Sequence, residues 1–483
     1  MPSLGHARAG GPGDTPAGWG DLSWFRREFY ASLTARTDAL FELTEAVLCA
    51  DGPVTSLVEL TLVAEHRRGH GAMYDALAAG RVEPERLRRA LACLPLPTVG
   101  GRIVLAVDVS PWLRPDAPTS ADRLFCHVYG RARNNAQLIP GWPYSFVAAL
   151  QTGRTSWTAV LDAVRLGPAD DATAVTATQL RGVLNRLITA GHWQPGDPDI
   201  VIVADTGYDT TRLAYVLADL PVELVGRLRS DRVLRLPKPP RSAGMTGRPP
   251  KHGPEIALDR PATWPTPQHT TSTQTTRYGT AEATSWDRVH PRLTHRGCWI
   301  DDTKELPVIE GTLIRLQVEH LPGDRDPKPV WLWTSTVDAA PADVDRWWQA
   351  FLRRFDLEHT FRLFKQTLGW TTPKIRTPAA ADRWTWLVIA AHTQLRLARP
   401  LVADLRRPWE RPAAPGRLTP ARVRRGFRNI RPTTLLPASA PKPSRPGPGR
   451  PPGSRNRHAA TSHDVGKTVK RDRTITARQQ RTG

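Results

Sequence analysis

The chain has 483 residues, 40% of them apolar, so it can form several hydrophobic cores and we expect two or three domains. No apolar run reaches the roughly 18 residues of a membrane-spanning helix, and the N-terminus lacks a basic-then-apolar signal. We therefore expect a cytoplasmic protein with no membrane partner. The formal net charge of +21 indicates a polyanionic partner, for which nucleic acid is the leading candidate.

The N-terminal quarter divides into two segments. Residues 1–20 are rich in Gly, Pro and Ala, which predicts disorder. In residues 21–98 apolar side chains recur at three- and four-residue steps, which predicts a helical domain. It is a candidate DNA-binding domain, and a purely structural helical cap is an equally good interpretation.

Two short apolar runs between residues 99 and 228 each lead into an aspartate. The run that begins at Ile103 ends in Asp108, and the run Ile200–Ala204 ends in Asp205. Continuous apolar runs of this length are typical of parallel strands buried on both faces. A carboxylate at the carboxyl end of such a strand lies where α/β sheets place their active sites.

The remaining chain alternates in composition. Residues 229–340 are β-rich and include a Pro/Thr-rich loop, whereas residues 341–398 are predicted to be helical, with one helix over 341–369. Residues 399–483 form a Pro/Arg-rich tail with 21 Lys/Arg against four Asp/Glu, a net charge of +17. We expect this tail to favour binding to nucleic acid, and its residues from Ala438 onward to be disordered.

Four residues of the predicted helix form a functional stripe. At roughly 100° per residue, Phe351, Arg354, Glu358 and Lys365 fall within an arc of about 60°. An aromatic ring, two cations and a carboxylate on one stripe suit a phosphodiester beside a metal ion. A solvated amphipathic face is the simpler alternative for an isolated Arg-x3-Glu.

The three carboxylates together favour a metal centre. Asp108 and Asp205 on neighbouring strands would repel each other unless a cation lay between them. Oxygen ligands alone select Mg²⁺ or Mn²⁺, and two such ions can activate one oxygen and stabilise another in phosphodiester chemistry. Any single aspartate of this kind is more often a turn or helix cap, so the prediction depends on the ordered set with Glu358.

These motifs resemble those of DDE transposases of bacterial insertion sequences, in the branch whose third acidic helix carries Tyr-x2-Arg-x3-Glu-x6-Lys. The same positions here are Phe351, Arg354, Glu358 and Lys365, so phenylalanine replaces the tyrosine and its hydroxyl. The segment Asp205-Thr206-Gly207-Tyr208 resembles the Asp-x-Gly-aromatic signature of that family.

The resemblance implies an α/β fold with a ribonuclease-H-like core. Residues 99–228 and 341–398 would form this core, and residues 229–340 would be a β-rich insertion domain. It also implies cut-and-paste transposition with two Mg²⁺ or Mn²⁺ ions. The implied catalytic and metal-binding residues are Asp108, Asp205 and Glu358, with Arg354 and Lys365 holding phosphates.

The implied partners are the transposon ends and the target DNA, bound by a homodimer in the bacterial nucleoid. A catalytically idle relative that only binds DNA and a non-transposing nuclease of the same fold are the alternatives. All three acidic positions are filled, which argues against loss of activity.

Other segments are candidates for DNA contact. A tryptophan of the insertion would stack on a flipped base, although burial in a core is the more common fate of each. Two Gly-Arg-Pro segments resemble minor-groove hooks but lack the preceding Arg, and a solvated loop is their alternative. The candidates are Trp264, Trp286, Trp299, Trp331, Trp333, Gly247-Arg248-Pro249 and Gly449-Arg450-Pro451.

Overall fold

A computed structural model describes residues 18–129, 136–153, 156–240, 250–293, 306–321, 326–414, 416–442, 453 and 459–467. The chain forms two compact units. We call Met1–Leu94, Leu363–Pro373 and Arg383–Gly449 the helical unit, and Pro95–Arg362, Lys374–Asp382 and Arg450–Gly483 the sheet unit. The disorder predicted for residues 1–20 concerns mostly residues outside the described ranges.

The N-terminal part of the helical unit consists mainly of α-helices. Its elements are α1 (Trp19–Ser32), β1 (Leu33–Ala35), α2 (Thr37–Cys49), α3 (Leu57–Leu60), α4 (His70–Ala79), β2 (Arg81–Val82) and α5 (Pro84–Cys93). Phe25, Phe29 and Phe41 are fully buried in its core. A buried ion pair of 2.7 Å between Arg26 and Glu45 joins α1 to α2.

The sheet unit begins with strands that confirm the predicted buried pair. Its first elements are β3 (Val104–Leu113), β4 (Leu124–Tyr129), β5 (Ala136–Leu150), β6 (Thr158–Arg165), α6 (Ala172–Thr189), β7 (Ile200–Ala204), α7 (Thr210–Val216) and β8 (Val222–Leu228). Strands β3, β7 and β8 are parallel neighbours, and β5 pairs with β3 in the antiparallel sense. Every residue of β7 is buried, as the continuous apolar run requires.

The β-rich segment extends the same sheet. It contains β9 (Val233–Arg235), β10 (Glu255–Ala257), a 3-10 turn (Pro261–Thr263), β11 (His269–Thr275), β12 (Gly279–Trp286), β13 (Thr312–Val318) and β14 (Val330–Thr334). Strand β14 pairs with β8 in the antiparallel sense, which gives a ten-stranded mixed sheet in the order β11-β12-β13-β14-β8-β7-β3-β5-β4, with β6 on β5. This mixed α/β architecture is compatible with a ribonuclease-H-like core, and a separate insertion domain stays a prediction.

The helices after the sheet differ from expectation in two places. They are α8 (Pro341–Leu352), α9 (Phe355–Gln366), α10 (Pro378–Ala398), α11 (Pro420–Ile430) and a 3-10 turn (Arg431–Thr433). The prediction of one helix over 341–369 was therefore wrong. Helix α11, within the basic tail, was also not predicted; it packs its buried Val423 and Phe427 into the helical unit. Residues 415, 443–452, 454–458 and 468–483 of the tail lie outside the described ranges.

None of the helices in the described ranges is both long enough and apolar enough to cross a membrane.

Candidate active site

Asp108 lies within β3, directly after the last residue that pairs with β7. The parallel pairing runs from Val104 to Val107, opposite Val201 to Ala204. The antiparallel pairing with β5 continues to Leu113, so the prediction that the strand ends at Asp108 was wrong. The backbone N–H of Val109 donates a 2.8 Å hydrogen bond to the Asp108 carboxylate and orients it.

Asp205 follows Ala204, the last residue of β7, as predicted. Because β3 and β7 are parallel neighbours and Val107 pairs with Ala204, the two aspartates lie side by side where this pairing ends. A turn then leaves the strand, with the N–H of Tyr208 donating to the Asp205 carbonyl over 3.1 Å. Asp209 caps the following helix by accepting from the N–H of Arg212.

Arg354 lies in the turn between α8 and α9. Its N–H donates to the carbonyl of Phe351, and its own carbonyl accepts from Leu357, both over 3.0 Å. These bonds join residues three apart instead of four, so the α-helix is interrupted here. The prediction that these residues share one continuous helix was consequently wrong, because Phe351 belongs to α8 and Glu358 to α9.

The Arg354 guanidinium contacts all three predicted carboxylates. Its nitrogens lie 2.8 Å from Asp108, 3.3 Å from Asp205 and 3.4 Å from Glu358. The Arg354 side chain is only 3% exposed, whereas the Glu358 side chain is 50% exposed. The fold therefore assembles these four residues into one site that opens to solvent on the Glu358 side.

Contacts beneath α9 hold Glu358 over the sheet. The hydroxyls of Thr158 and Thr360 are 2.8 Å apart, and the rings of Phe146 and Phe361 lie 5.1 Å apart. Phe146 is directly opposite Asp108 across the β3–β5 pair, so the two side chains share one face of the sheet. Helix α9 thus packs on the face that presents Asp108.

The electrostatics of the site are dominated by its excess negative charge. Three carboxylates and one guanidinium sum to −2. The pKa of Asp108 is raised to about 6, chiefly by burial. Arg354 and the Val109 N–H act to lower this pKa, and the negative charges of Asp205 and Glu358 act to raise it. Burial, and then the charge of Asp108, also raise the pKa of Tyr208 well above its ordinary value, so this phenol remains protonated beside the site.

The donor set fits divalent metal ions. All three acidic side chains offer oxygen, the ligand that Mg²⁺ and Mn²⁺ prefer. The buried Oδ1 of Asp205 has no hydrogen-bond partner among the described residues, so it is available as a ligand. Within the same ranges, no three acidic, histidine or cysteine side chains converge on a single metal position. The guanidinium of Arg354 lies between the carboxylates instead and supplies part of the positive charge they require.

The remaining predicted contacts have different outcomes. Lys365 belongs to the helical unit, where its ammonium lies 5.7 Å from the ring centre of Trp370, and its phosphate contact stays a prediction. The Phe351 ring centre lies 5.8 Å from Cζ of Arg354. Sequence reasoning missed Phe355, whose ring centre lies nearer to Cζ of Arg354, at 5.1 Å. Phe355 directly follows Arg354 and comes four residues after Phe351, which was the signal available in the sequence.

The described tryptophan candidates are core residues. Trp264 packs against Trp331 with ring centres 5.1 Å apart, and Trp286 lies 5.8 Å from Trp331. Trp286 and Trp331 belong to a buried apolar cluster with Trp264 packed against it, and Trp333 is fully buried. Trp299 and both Gly-Arg-Pro segments lie outside the described residues.

The raised pKa of Asp108 predicts a pH dependence of stability in metal-free buffer. Its folded pKa of about 6 exceeds the unfolded value near 3.9, so folding favours the protonated acid. Its contribution to the free energy of unfolding is complete below about pH 4 and falls by up to about 3 kcal/mol as pH rises through 6. Urea unfolding in EDTA measures the free energy of unfolding of the wild type and of Asp108→Asn, and the wild-type value minus the variant value should fall as pH rises through 6. A value that grows with pH would contradict the raised pKa of Asp108.

A comparison with protein families matches the part of the chain that holds two of the three carboxylates. The sequence model of the family described as DDE superfamily endonuclease matches residues 28–292, which include Asp108 and Asp205 but not Glu358. No curated protein matches the chain. Enzymes of this family generally use divalent metal ions, in keeping with the oxygen donors of the site. The match spans more than half of the sequence, and the chain belongs to the DDE superfamily of endonucleases.

Proposed function

We propose that this protein is the transposase of an insertion sequence. It binds the terminal inverted repeats of its element and carries out metal-dependent strand cleavage and strand transfer in a cut-and-paste reaction. The supporting observation is the convergence of Asp108, Asp205 and Glu358 on Arg354 in a chain of the DDE superfamily. The likeness of Arg354, Glu358 and Lys365 to one branch of bacterial transposases narrows the proposal from endonuclease to transposase.

In this proposal each charged residue has a defined task. Asp108, Asp205 and Glu358 hold two Mg²⁺ or Mn²⁺ ions. When bound, such ions activate the attacking oxygen and stabilise the leaving oxygen of a phosphodiester. Arg354 and Lys365 pair with phosphate oxygens beside the scissile bond. Phe351 packs beside Arg354 but cannot donate the hydrogen bond of the tyrosine found in the similar transposases.

The direct test uses the purified protein, Mg²⁺ and DNA that carries the sequences flanking the coding region. We expect cleavage at the element boundary, followed by joining of the freed 3′ end to a target plasmid. Cleavage without joining would support the nuclease alternative, and binding without cleavage would support the idle relative. Gel filtration with end DNA should give two protein chains per complex if the active form is the proposed homodimer.

The basic tail provides a further prediction. Residues 459–467 contact the sheet unit, with Gly466 bridging to Leu124, so the informative truncation begins after Lys467. Removing residues 468–483 deletes five Lys/Arg and one Asp. DNA affinity should fall, and the slope of log K against log salt should flatten by up to about 4. An unchanged salt slope would show that this segment does not neutralise DNA phosphates.

A further inference from the structure

The helical unit contains a cleft of about 860 Å³ that is lined by arginine. Helix α11, the segment 49–53 and the loop around residue 410 form its walls. Six arginines face two carboxylates, Asp51 and Glu410, so the lining has a formal charge of +4. The six are Arg407, Arg411, Arg422, Arg424, Arg425 and Arg428.

Ion pairs fix the orientation of some arginines and leave others available. Asp404 holds Arg422 at 2.5 Å, and Glu410 holds Arg425 at 2.7 Å. Arg407 and Arg411 are exposed, and neither side chain forms an ion pair within the described ranges. The cleft therefore combines a fixed basic wall with two cations that are able to bind an external anion.

Arg424 is the buried member of the set. Its residue is only 6% exposed, and it donates to the carbonyls of Val47 at 2.8 Å and Gly52 at 2.5 Å. Its Nη2 has no hydrogen-bond partner in the described part of the chain, and no carboxylate there lies within ion-pair distance. A buried cation without a counter-ion is costly, and an anion bound in the cleft would offset that cost.

Two neighbouring features extend the site. Thr419 and Ala421, at the N-terminal end of α11, line the cleft, and the first turn of this helix contains no acidic residue. The positive end of the helix dipole therefore adds to the attraction for an anion. Trp409 is 75% exposed, and Cζ of Arg407 lies 5.6 Å from its ring centre. An exposed indole held beside a guanidinium is a surface on which a sugar or base can pack.

We propose that this arginine cleft binds the phosphodiester backbone of DNA, with Arg407 and Arg411 contacting phosphates and Trp409 packing against the adjacent nucleoside. The inference rests on the proposed action on DNA, to which it adds a specific binding surface outside the catalytic carboxylates. Exposed Trp409 favours a nucleic acid over a free phosphate ion, which would use the charge alone.

The test measures binding in full-length protein that carries Asp205→Asn, so that cleavage does not enter the result. A labelled 30-base-pair duplex of arbitrary sequence is titrated by fluorescence anisotropy at several salt concentrations. Arg407→Ala/Arg411→Ala should weaken binding about tenfold at about 0.1 M salt and reduce the salt slope by about 2. Trp409→Ala should weaken binding without changing that slope.

Matched variants separate a local site from bulk charge. Arg27→Ala/Arg81→Ala removes two exposed arginines of the same unit that do not line the cleft, and should leave the slope unchanged. Arg407→Lys/Arg411→Lys keeps both charges and should retain the wild-type salt slope. An equal loss of DNA affinity in the two alanine double variants, or no loss in Arg407→Ala/Arg411→Ala, would overturn the inference. So would a cleft that binds inorganic phosphate but contributes nothing to DNA binding. If the wild type fails to cleave DNA but its DNA binding still depends on Arg407 and Arg411, the proposed function alone is contradicted.

Discussion

Replacement of Asp205 by asparagine should lower the rate of Mg²⁺-dependent DNA cleavage by about a thousandfold, since a catalytic metal ion contributes several kcal/mol to the transition state. The substitution preserves side-chain size but removes the negative charge that ligation requires. Asp108→Asn and Glu358→Gln should have effects of similar size, because all three carboxylates surround the same guanidinium. Single-turnover cleavage of end-containing DNA gives the comparison.

Asp259→Asn is the matched control, because it removes an exposed carboxylate of the same unit that lies away from Arg354. It should cleave at the wild-type rate. DNA affinity should survive in every variant, because removing a carboxylate reduces repulsion of phosphates. An Asp205→Asn protein that retains more than about a tenth of the wild-type rate would refute its role as a metal ligand.

Arg354→Gln should lower the free energy of unfolding in metal-free buffer by about 2–3 kcal/mol. The substitution leaves Asp108, Asp205 and Glu358 without their shared counter-ion, and breaking a fully buried pair costs about 3–5 kcal/mol. We expect less because Glu358 is half exposed and can be screened by water. Urea unfolding in EDTA provides the measurement.

Addition of Mg²⁺ distinguishes a charge effect from a packing effect. If Arg354 supplies the cation that the carboxylates need, Mg²⁺ should stabilise Arg354→Gln more than the wild type. Arg229→Gln, which breaks an exposed pair with Asp231, should change stability by less than about 1 kcal/mol with or without metal. Equal stabilisation of Arg354→Gln and the wild type by Mg²⁺ would contradict this account of the site.

The apolar runs before Asp108 and Asp205 were sufficient to predict the central parallel strands. A run that is apolar at every position must be covered on both faces, and β3 and β7 are buried in this way. The end of β3 could not be predicted from the same pattern, because the strand continues through its pairing with β5. That pairing depends on residues about 30 positions away, which local periodicity does not detect.

The break between α8 and α9 had no local signal. No proline or glycine lies between Phe351 and Phe355, so helical periodicity predicted a continuous helix. Distant contacts accompany the break: Arg354 pairs with Asp108, 246 residues earlier, and Arg353 donates to the carbonyls of Gln151 and Gly153. Tertiary contacts have overridden helical propensity at a residue of the candidate site.

Helix α11 was missed because composition concealed its apolar face. The tail is rich in Pro and Arg, which is the signature of disorder, yet Val423 and Phe427 are four residues apart and buried. Two of their arginine neighbours, Arg422 and Arg425, pair with Asp404 and Glu410 elsewhere in the helical unit. Charge density alone was therefore a poor guide to order in this segment.

Binding of Mn²⁺ to the full-length protein tests most directly whether Asp108, Asp205 and Glu358 form one metal centre. Electron paramagnetic resonance can follow loss of the free-ion signal during titration, without DNA and without reliance on activity. We predict that the wild type takes up Mn²⁺, that Asp108→Asn and Asp205→Asn each weaken this uptake at least tenfold, and that Asp259→Asn does not. Equal uptake by the wild type and both site variants would contradict the metal centre and the proposed chemistry that depends on it.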